Sequence, residues 1–312
     1  MESVDDVDRG LVHALHLDGR APFATIAGVL GVSENTVARR YKRLLGAGVL
    51  RVVGSANGFL LGRTSWTLRI RCTPDVAAPI AAALARRPDT FWVHIMSGGT
   101  EISCNLQSHD TATRDALLMD KLPRSTRVLD ISAHAILGGE PTEWSGLRHL
   151  TDEQAALLTP PPPKTEPLDL DDEDHALLSA LAGDGRAPYT ALGPSETAAR
   201  RRLTRLRRAG VLVFDLDVLP EALGYRAEAR LWLSVRPAGL AATAATVAAH
   251  PETSFTAVTT GRTNLVATVI CRDSADLYRY LTERIGVLDD VHTVETAPLT
   301  RTVKRAGRLL PH

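Results

Sequence analysis

Arginine is the residue whose distribution in this sequence points most directly to a chemistry. The chain has 36 basic residues, and all but 4 of them are arginine. Residues 195–208 contain six arginines in fourteen positions, and residues 33–46 are similarly basic after a polar start. Guanidinium groups bind phosphate oxygens and the major-groove edge of guanine. Both stretches are therefore candidates for contact with nucleic acid, and the alternative is that they are the solvated faces of ordinary helices.

The other residue types that could bind a metal or carry out catalysis do not occur at the spacing of any known motif. The three cysteines form no pair with metal-ligand spacing, and an odd number argues against a disulfide framework. No phosphate-binding loop, zinc-protease motif, nucleophile elbow or dinucleotide fingerprint occurs. The sequence therefore predicts no catalytic residue, no metal and no cofactor.

Charge and hydropathy limit where the chain is expected to act. The formal net charge is zero, so attraction to nucleic acid has to come from local patches of the surface. The acidic start MESVDDVDRGLVHAL has no apolar core, so we expect no signal peptide. No stretch approaches eighteen apolar residues, which predicts no membrane span. We expect a cytoplasmic, nucleoid-associated protein.

The first fifty residues predict a helix-turn-helix. Apolar residues recur at helical spacing over 4–17, and a short helix is expected over 24–30. Ser33 is placed to cap a third, basic helix, which Gly48 terminates. A short helix, a tight turn and a longer basic helix are typical of DNA-binding domains.

The next segment predicts a sheet domain. In WTLRIRC (66–72) apolar and polar residues alternate, which is typical of a strand with one buried face. The order of the predicted elements is ferredoxin-like βαββαβ, and they lie at 66–72, 75–87, 90–96, 101–107, 111–122 and 127–137. Because two helices cover only one face of such a sheet, the other face is expected to need a partner.

Both segments occur twice. Residues 18–50 align with 184–212, and 66–138 align with 229–301 at a constant offset of 163, on either side of the proline-rich stretch 159–167. The predicted fold class is α+β, with two winged-type helix-turn-helix domains and two ferredoxin-like domains in tandem. The predicted domains are 1–55 (helix-turn-helix), 62–148 (sheet domain), 149–168 (linker), 169–216 (shortened helix-turn-helix) and 219–308 (second sheet domain).

These motifs resemble the Lrp/AsnC family of transcription regulators. The resemblance rests on DGR (18–20), SENTVARRYKRL (33–44) and GVL (48–50), followed by the βαββαβ order. It implies double-stranded DNA as a partner, pairing through the sheet domains, and a small-molecule effector such as an amino acid. A tandem copy departs from the family's usual single copy, so we expect a pseudo-dimer within one chain, with a higher homo-oligomer left open.

The resemblance places the recognition helix at Ser33–Gly46. Asparagine pairs with adenine and arginine with guanine, whereas the later basic residues suit phosphate. The residues expected to bind DNA are Ser33, Glu34, Asn35, Thr36, Arg39, Arg40, Lys42 and Arg43 in the first copy, and Thr197, Arg201, Arg202 and Arg205 in the second.

The second helix-turn-helix is shorter than the first. Nine residues separate Phe23 from Ser33, but only five separate Tyr189 from Ser195. The four missing residues amount to about one helical turn of the helix that positions the recognition helix. We therefore expect the second copy to contribute charge and little sequence specificity.

The effector loops also depart from the family pattern. Where the family has a TG-x-x-D turn, this chain has SGGTE (97–101) and TGRTN (260–264). Glu101 is expected to accept an amino group, whereas Asn264 has no charge. The predicted effector-binding residues are Ser97, Gly98, Gly99, Thr100 and Glu101 in the first copy, and Thr260, Gly261, Arg262, Thr263 and Asn264 in the second. An unliganded turn is the alternative at each loop.

Two other functions compete with DNA-binding regulation. Siroheme decarboxylases are similar to tandem Lrp/AsnC units, but they carry a His/Arg-rich stretch where this chain has a lone His94 and, in the second copy, Ala257. A modulator that has lost DNA binding is the other alternative, favoured by the shortened second copy. The intact first copy favours a sequence-specific DNA-binding regulator, and we predict no enzymatic activity.

Overall fold

The computed structural model describes residues 4–108, 126–139, 142–164 and 168–310. Its helices are α1 (Asp6–Leu17), α2 (Phe23–Leu30), α3 (Glu34–Gly46), α4 (Pro74–Ala85), α5 (Asp152–Ala156), α6 (Asp172–Gly183), α7 (Glu196–Arg208), α8 (Leu240–Ala248) and α9 (Ser274–Arg279). Its strands are β1 (Leu50–Ala56), β2 (Thr64–Cys72), β3 (Thr90–Met96), β4 (Glu101–Ser108), β5 (Val128–Gly138), β6 (Leu212–Val218), β7 (Ala227–Val235), β8 (Thr253–Thr259), β9 (Leu265–Cys271), β10 (Val291–Arg305) and β11 (Arg308–Leu309).

Contacts divide the chain into two compact units that each combine distant stretches of sequence. Unit 1 contains Met1–Leu61 and Leu147–Leu223, and unit 2 contains Gly62–Gly146 and Gly224–His312. The two segments predicted as helix-turn-helix copies thus share unit 1, and the two segments predicted as sheet domains share unit 2. Within the described ranges, no helix has the length and apolar character needed to cross a membrane.

In unit 1 the first copy has the predicted helix-turn-helix. The side chain of Ser33 accepts a hydrogen bond from the backbone of Thr36, so the predicted cap of α3 is confirmed. Val37, Tyr41 and Leu44 recur at helical spacing on the buried side of α3. The remaining sides of the helix are left for other contacts.

The second copy lacks a counterpart of α2. A single 3₁₀ turn, Tyr189–Ala191, stands in its place, and α7 begins after its cap Ser195. The few residues available are too short for a stable helix, and Pro194 has no backbone N–H to continue one. The predicted loss of the positioning helix is confirmed.

The two copies in unit 1 share a two-stranded sheet. Strands β1 and β6 are antiparallel, and their register runs from the pair Leu50–Val218 to the pair Ala56–Leu212. Helix α6 packs closely on β1, since a Cβ added at Gly54 would lie 2.7 Å from the Cβ of Leu181. This pairing between the two segments is not predicted by the sequence pattern.

In unit 2, eight strands form a closed ring of pairings. The order is β10–β3–β4–β2–β5–β8–β9–β7, and β7 pairs with β10 again, while β11 extends β10. The copies join where Ile136 pairs with Thr259 and where Thr302 pairs with His94. The helix predicted over 111–122 lies outside the described residues.

Side chains along the strands of the ring alternate between the two faces of the sheet, as the sequence predicts. Leu68 and Ile70 of β2, like Leu231 and Leu233 of β7, face the helix-covered cores. The residues between them point to the space that the eight strands enclose, which we call the interior. Side chains of both copies meet there, as the indole N–H of Trp232 donates to the Glu101 carboxylate over 3.1 Å.

The predicted linker 149–168 contains more structure than expected. Thr151 and Gln154 form a capping box at the start of α5, and the Gln154 side chain donates to the carbonyl of Val29 over 2.9 Å. This capping box explains why a short helix forms beside the prolines. The stretch 159–164 has no helix or strand, as its prolines predict.

Candidate DNA interface and effector cavity

Helix α3 presents an exposed polar surface beginning at its N-terminus. Arg39 and Lys42 lie on it, and neither side chain forms an ion pair or hydrogen bond with any other described residue. Thr36 is half-buried because its hydroxyl bonds the Ser33 side chain. The predicted DNA-binding residues that are exposed on this surface are Ser33, Glu34, Asn35, Arg39 and Lys42.

Arg40 and Arg43 have a different role in the fold. Arg40 donates to Asp5 over 2.7 Å and to Asp8 over 3.0 Å, and Arg43 donates to Asp8 over 2.5 Å. The Asp8 side chain is completely buried. Hydrogen bonds from the backbone of Asp8 and from Arg40 lower the pKa of Asp5. These ion pairs attach α3 to the N-terminus of α1.

The second copy repeats this attachment. Arg202 donates to Asp171 over 2.7 Å and to the buried Asp174 over 3.0 Å, and Arg205 also pairs with Asp174. Burial raises the pKa of Asp174, but hydrogen bonds from Arg205, the Asp171 backbone and Arg202 outweigh it, and the pKa is lowered on balance. Two of the arginines expected to bind DNA are thus engaged in holding α7 to α6.

The other arginines of α7 fall into two groups. Arg200 pairs with Glu196 over 2.8 Å, and Arg207 pairs with Asp18 of the first copy over 3.0 Å. Arg201 and Arg208 are exposed, and their side chains contact no charged or hydrogen-bonding partner among the described residues. Thr197, the counterpart of Asn35, is also exposed. Free positive charge on α7 is therefore concentrated at Arg201 and Arg208.

Two arginines, one from each copy of the helix-turn-helix segment, connect the two copies within unit 1. Arg20 donates to the carbonyls of Gly185 (2.8 Å) and Ala187 (3.1 Å). Arg186 donates to the carbonyls of Gly19 (2.7 Å) and Ala21 (3.1 Å).

Both guanidinium groups also lie over aromatic rings. Arg20 lies over Tyr189 at 4.7 Å from the ring centroid, and Arg186 lies over Phe23 at 4.4 Å. The motif DGRAP, present in both copies, was the signal for these contacts. From the sequence alone, its DGR part indicated only the family resemblance.

The first effector loop borders a cavity of about 500 Å³. Three of the predicted residues line it, namely Ser97, Thr100 and Glu101. Gly98 and Gly99 do not; both have positive φ in the 3₁₀ turn, and the Gly98 N–H donates to the Thr300 hydroxyl. The other residues around the cavity are Arg69, Arg71, Cys72, Thr73, Pro74, Leu129, Glu295, Thr296 and Ala297.

Glu101 is engaged within the protein. Its two carboxylate oxygens accept from Arg69 over 2.9 Å and from the Trp232 indole over 3.1 Å. Arg69 also pairs with Glu295 over 2.8 Å, and this hydrogen bond lowers the pKa of Glu295. The amino-group contact expected at Glu101 would therefore compete with existing bonds, while Arg71 on the same wall is exposed.

The polar groups of the second effector loop form hydrogen bonds with neighbouring residues of unit 2. Asn264 accepts from the N–H and donates to the carbonyl of Val235, both over 2.8 Å. The carbonyl of Thr260 lies 2.6 Å from the His134 ring nitrogen, and Gly261 lies against the same ring. The carbonyl of Thr263 accepts from the Thr259 hydroxyl. Arg262 is exposed.

The space beside the two loops is filled differently. The offset of 163 relates His134 to Ala297 and Trp232 to Arg69. At the second loop His134 and Trp232 lie side by side with centroids 5.8 Å apart, whereas Ala297 and Arg69 line the cavity at the first. The copies therefore differ in the groups they offer to a ligand.

His94 lies in the interior of unit 2. It is buried, its Nδ1 lies 3.1 Å from the Thr302 hydroxyl, and it stacks on Trp92. Burial and the charges of Arg230 and Arg305 hold its pKa well below the usual value. Among the residues that the structure describes, no three His, Cys, Asp or Glu side chains are grouped as metal ligands.

Comparison with known proteins assigns both segment types. Residues 4–45 match the AsnC-type helix-turn-helix domain, and residues 228–309 match the Lrp/AsnC ligand binding domain. An HTH-type transcriptional regulator of Pyrococcus abyssi is 31% identical over 143 residues, which cover 90% of that protein and 44% of this chain. The chain belongs to the Lrp/AsnC family. It is a transcription regulator with DNA-binding and ligand-binding domains of this family.

Other Lrp/AsnC relatives correspond to just under half of this chain. LrpA of Pyrococcus horikoshii is 28% identical over 140 residues, covering 99% of LrpA and 43% of this chain. Over the full length, the chain is similar to the crystal structure of the siroheme decarboxylase NirDL, with 16% identity, a TM-score of 0.62, and coverage of 96% of this chain and 93% of NirDL. This likeness is one of fold.

Proposed function

We propose that this Lrp/AsnC regulator binds DNA sequence-specifically through its first helix-turn-helix, while the second contributes mainly charge. The observation that carries the proposal is the difference between the copies. Helix α2 is present in the first copy, whereas a 3₁₀ turn, Tyr189–Ala191, replaces it in the second. The helix before the recognition helix determines how the latter enters the major groove.

The exposed residues of α3 have chemistries suited to distinct contacts. Asn35 suits adenine and Arg39 suits guanine, and Lys42 is placed for phosphate. All three are exposed, so they contact DNA without first breaking an internal bond. Arg40 and Arg43 then act as positioning residues, because their ion pairs attach α3 to α1.

On α7 we assign phosphate contacts to Arg201 and Arg208. Their guanidinium groups have no partner among the described residues, and phosphate contact needs less exact placement than base contact. Phosphate contacts release counterions and weaken with salt, but they discriminate little between sequences. Arg202 and Arg205 serve the fold of this copy.

We further propose that one chain performs what two single-copy family members perform as a pair. The support is the pairing of β1 with β6 in unit 1 and the ring of strands in unit 2. Light scattering of the full chain, with and without DNA, measures whether pseudo-dimers assemble further.

A small-molecule effector such as an amino acid is proposed for the cavity beside the first loop. A volume of about 500 Å³ suits a ligand of that size. The hydroxyls of Ser97 and Thr100 and the charged groups of Arg71 and Glu295 provide polar contacts at its wall. The second loop offers a different set, because Asn264 is already bonded to Val235.

Selection of bound duplexes from a random DNA pool tests the proposed function. The wild-type chain is expected to enrich a recurrent motif, and the Arg39→Ala variant is expected to enrich it less. If the wild-type protein binds no duplex, the modulator alternative replaces the proposal. If it binds DNA but enriches no motif, sequence specificity is refuted.

The decarboxylase alternative follows from the full-length likeness in fold to NirDL. The buried His94, which bonds Thr302, is poorly suited to donate a proton, because burial and the charges of Arg230 and Arg305 disfavour its protonated form. Mixing the pure chain with an iron tetrapyrrole separates the two functions: a shift of the absorption bands would favour the enzyme, and an unchanged spectrum favours the regulator.

A further inference from the structure

Arg230 is a buried cation that has no ion-pair partner among the residues that the structure describes. It lies on β7 with 3% of its surface exposed, and its side chain faces the interior of unit 2. Its Nη1 is buried without a hydrogen-bond partner, and no described residue forms an ion pair with it. The contact that its guanidinium makes is with the ring of Phe255, 5.4 Å from the centroid.

The charge of Arg230 persists at neutral pH. Burial lowers its pKa to about 10, and the more distant carboxylates of Glu228 and Glu101 act in the opposite direction. The guanidinium is therefore still protonated at pH 7. A buried charge is normally paired and fully hydrogen-bonded, and the Nη1 of Arg230 has no such partner.

Polar side chains of other strands share the interior of unit 2 with Arg230. Burial lowers the pKa of His94, and the charges of Arg230 and Arg305 lower it further, which puts His94 within electrostatic range of Arg230. Ser103 is paired with His94 across β3 and β4, and its buried hydroxyl has no partner. The buried hydroxyl of Thr67 is also without one. These groups suit a ligand that carries oxygen atoms.

We propose that the interior of unit 2 binds one small carboxylate, whose oxygens accept hydrogen bonds from the guanidinium of Arg230. Guanidinium and carboxylate match in geometry and charge. A singly charged anion is favoured over phosphate or sulfate because Glu228 and Glu101 would repel a second negative charge. This site is separate from the DNA interface and from the exposed wall of the effector cavity.

The effector cavity lies next to this site. Ala297 is paired with Arg230 across β7 and β10, and Ala297 also lines the cavity. Neighbouring strands lie about 5 Å apart, so the wall of the cavity is one strand away from Arg230.

Equilibrium dialysis of the full-length chain against radiolabelled acetate tests the proposal. One acetate per wild-type chain is expected, with competition by formate and little competition by inorganic phosphate at equal ionic strength. The Arg230→Met variant is expected to lose binding at least tenfold. The variant Arg226→Met removes an exposed arginine of the same unit and is expected to bind acetate like the wild type.

Each other outcome has a definite meaning. Loss of acetate binding in Arg71→Met but not in Arg230→Met would place the anion at the cavity wall, refuting the inference while leaving the effector proposal intact. Binding of phosphate in preference to acetate would refute the carboxylate. No acetate bound to the wild-type chain would refute the site, whether or not the Arg230→Met variant folds.

Discussion

Arg20 and Arg186 form reciprocal hydrogen bonds between the two helix-turn-helix copies within unit 1. Each guanidinium donates to two backbone carbonyls of the other copy. With the pairing of β1 and β6, this exchange makes the two helix-turn-helix segments one structural unit. The four-residue loss in the second copy leaves this exchange in place. The second segment therefore supports the first even where it has lost its own α2.

Replacing either of these arginines should destabilise unit 1. Hydrogen bonds from a charged group to buried acceptors contribute about 1.5–3 kcal/mol each in favourable cases. We expect Arg20→Ala and Arg186→Ala each to lower the free energy of unfolding by about 2–3 kcal/mol, measured by urea denaturation. Arg201→Ala, which removes an exposed arginine, is the control with a change within about 0.5 kcal/mol. Equal stability of all three variants would refute the role of the exchange.

The carboxylate of Asp174 should make stability depend on acid. Its pKa is lowered in the folded chain despite burial, because Arg205, the Asp171 backbone and Arg202 bond it. The unfolded chain therefore takes up the proton first, and this stabilisation, complete at neutral pH, is lost as the pH falls below about 4. Asp174→Asn should be less stable than the wild type at pH 7, and the gap should narrow in acid. Urea midpoints from pH 3 to pH 7 measure it, and a gap independent of pH would contradict the assignment.

The sequence predicted most elements because their signals are local. Ser33 at a cap, the alternation in β2 and the shortened stretch before Ser195 each depend on neighbouring residues. The pairing of β1 with β6 was missed because alternation indicates which face of a strand is buried, not which strand lies beside it.

The candidate site was predictable only in outline. Arg39 and Arg40 are adjacent and chemically identical, yet one is exposed and the other is paired with Asp8 from far along the chain. The recurrence of two aspartates ahead of both basic helices, Asp5 and Asp8 in one copy and Asp171 and Asp174 in the other, is a signal that would have separated them. The position of His134 beside the second loop depends on strand register, which the alignment of the two segments does not convey.

A single substitution should close the effector cavity. His134 corresponds to Ala297 in the other copy and occupies the space beside the second loop. Ala297→His should therefore block ligand binding at the first loop while unit 2 still folds. Thermal shifts with each of the twenty amino acids measure binding: any ligand that stabilises the wild type should no longer stabilise this variant. An undiminished shift in Ala297→His would place the effector elsewhere.

Substitution of Arg202 should change the stability of the chain, whereas substitution of Arg201 should change its DNA binding. Arg202→Ala breaks ion pairs with Asp171 and Asp174 and is expected to lower the urea midpoint. Arg201→Ala is expected to leave the midpoint unchanged and to reduce the salt dependence of DNA affinity by about one phosphate contact. If Arg201→Ala lowered the urea midpoint and Arg202→Ala changed only the salt dependence of DNA affinity, the proposed roles of the two arginines would be contradicted.

The specificity ratio, the affinity for a selected operator divided by that for random DNA, tests the central claim most directly. It is measured by fluorescence anisotropy at one fixed salt concentration for the wild type, Arg39→Ala and Arg201→Ala. Arg39→Ala should lower the ratio by an amount equivalent to about 1–3 kcal/mol. Arg201→Ala should weaken binding to both DNAs by a similar factor and leave the ratio unchanged. A ratio that falls for Arg201→Ala and is unchanged for Arg39→Ala would contradict the account.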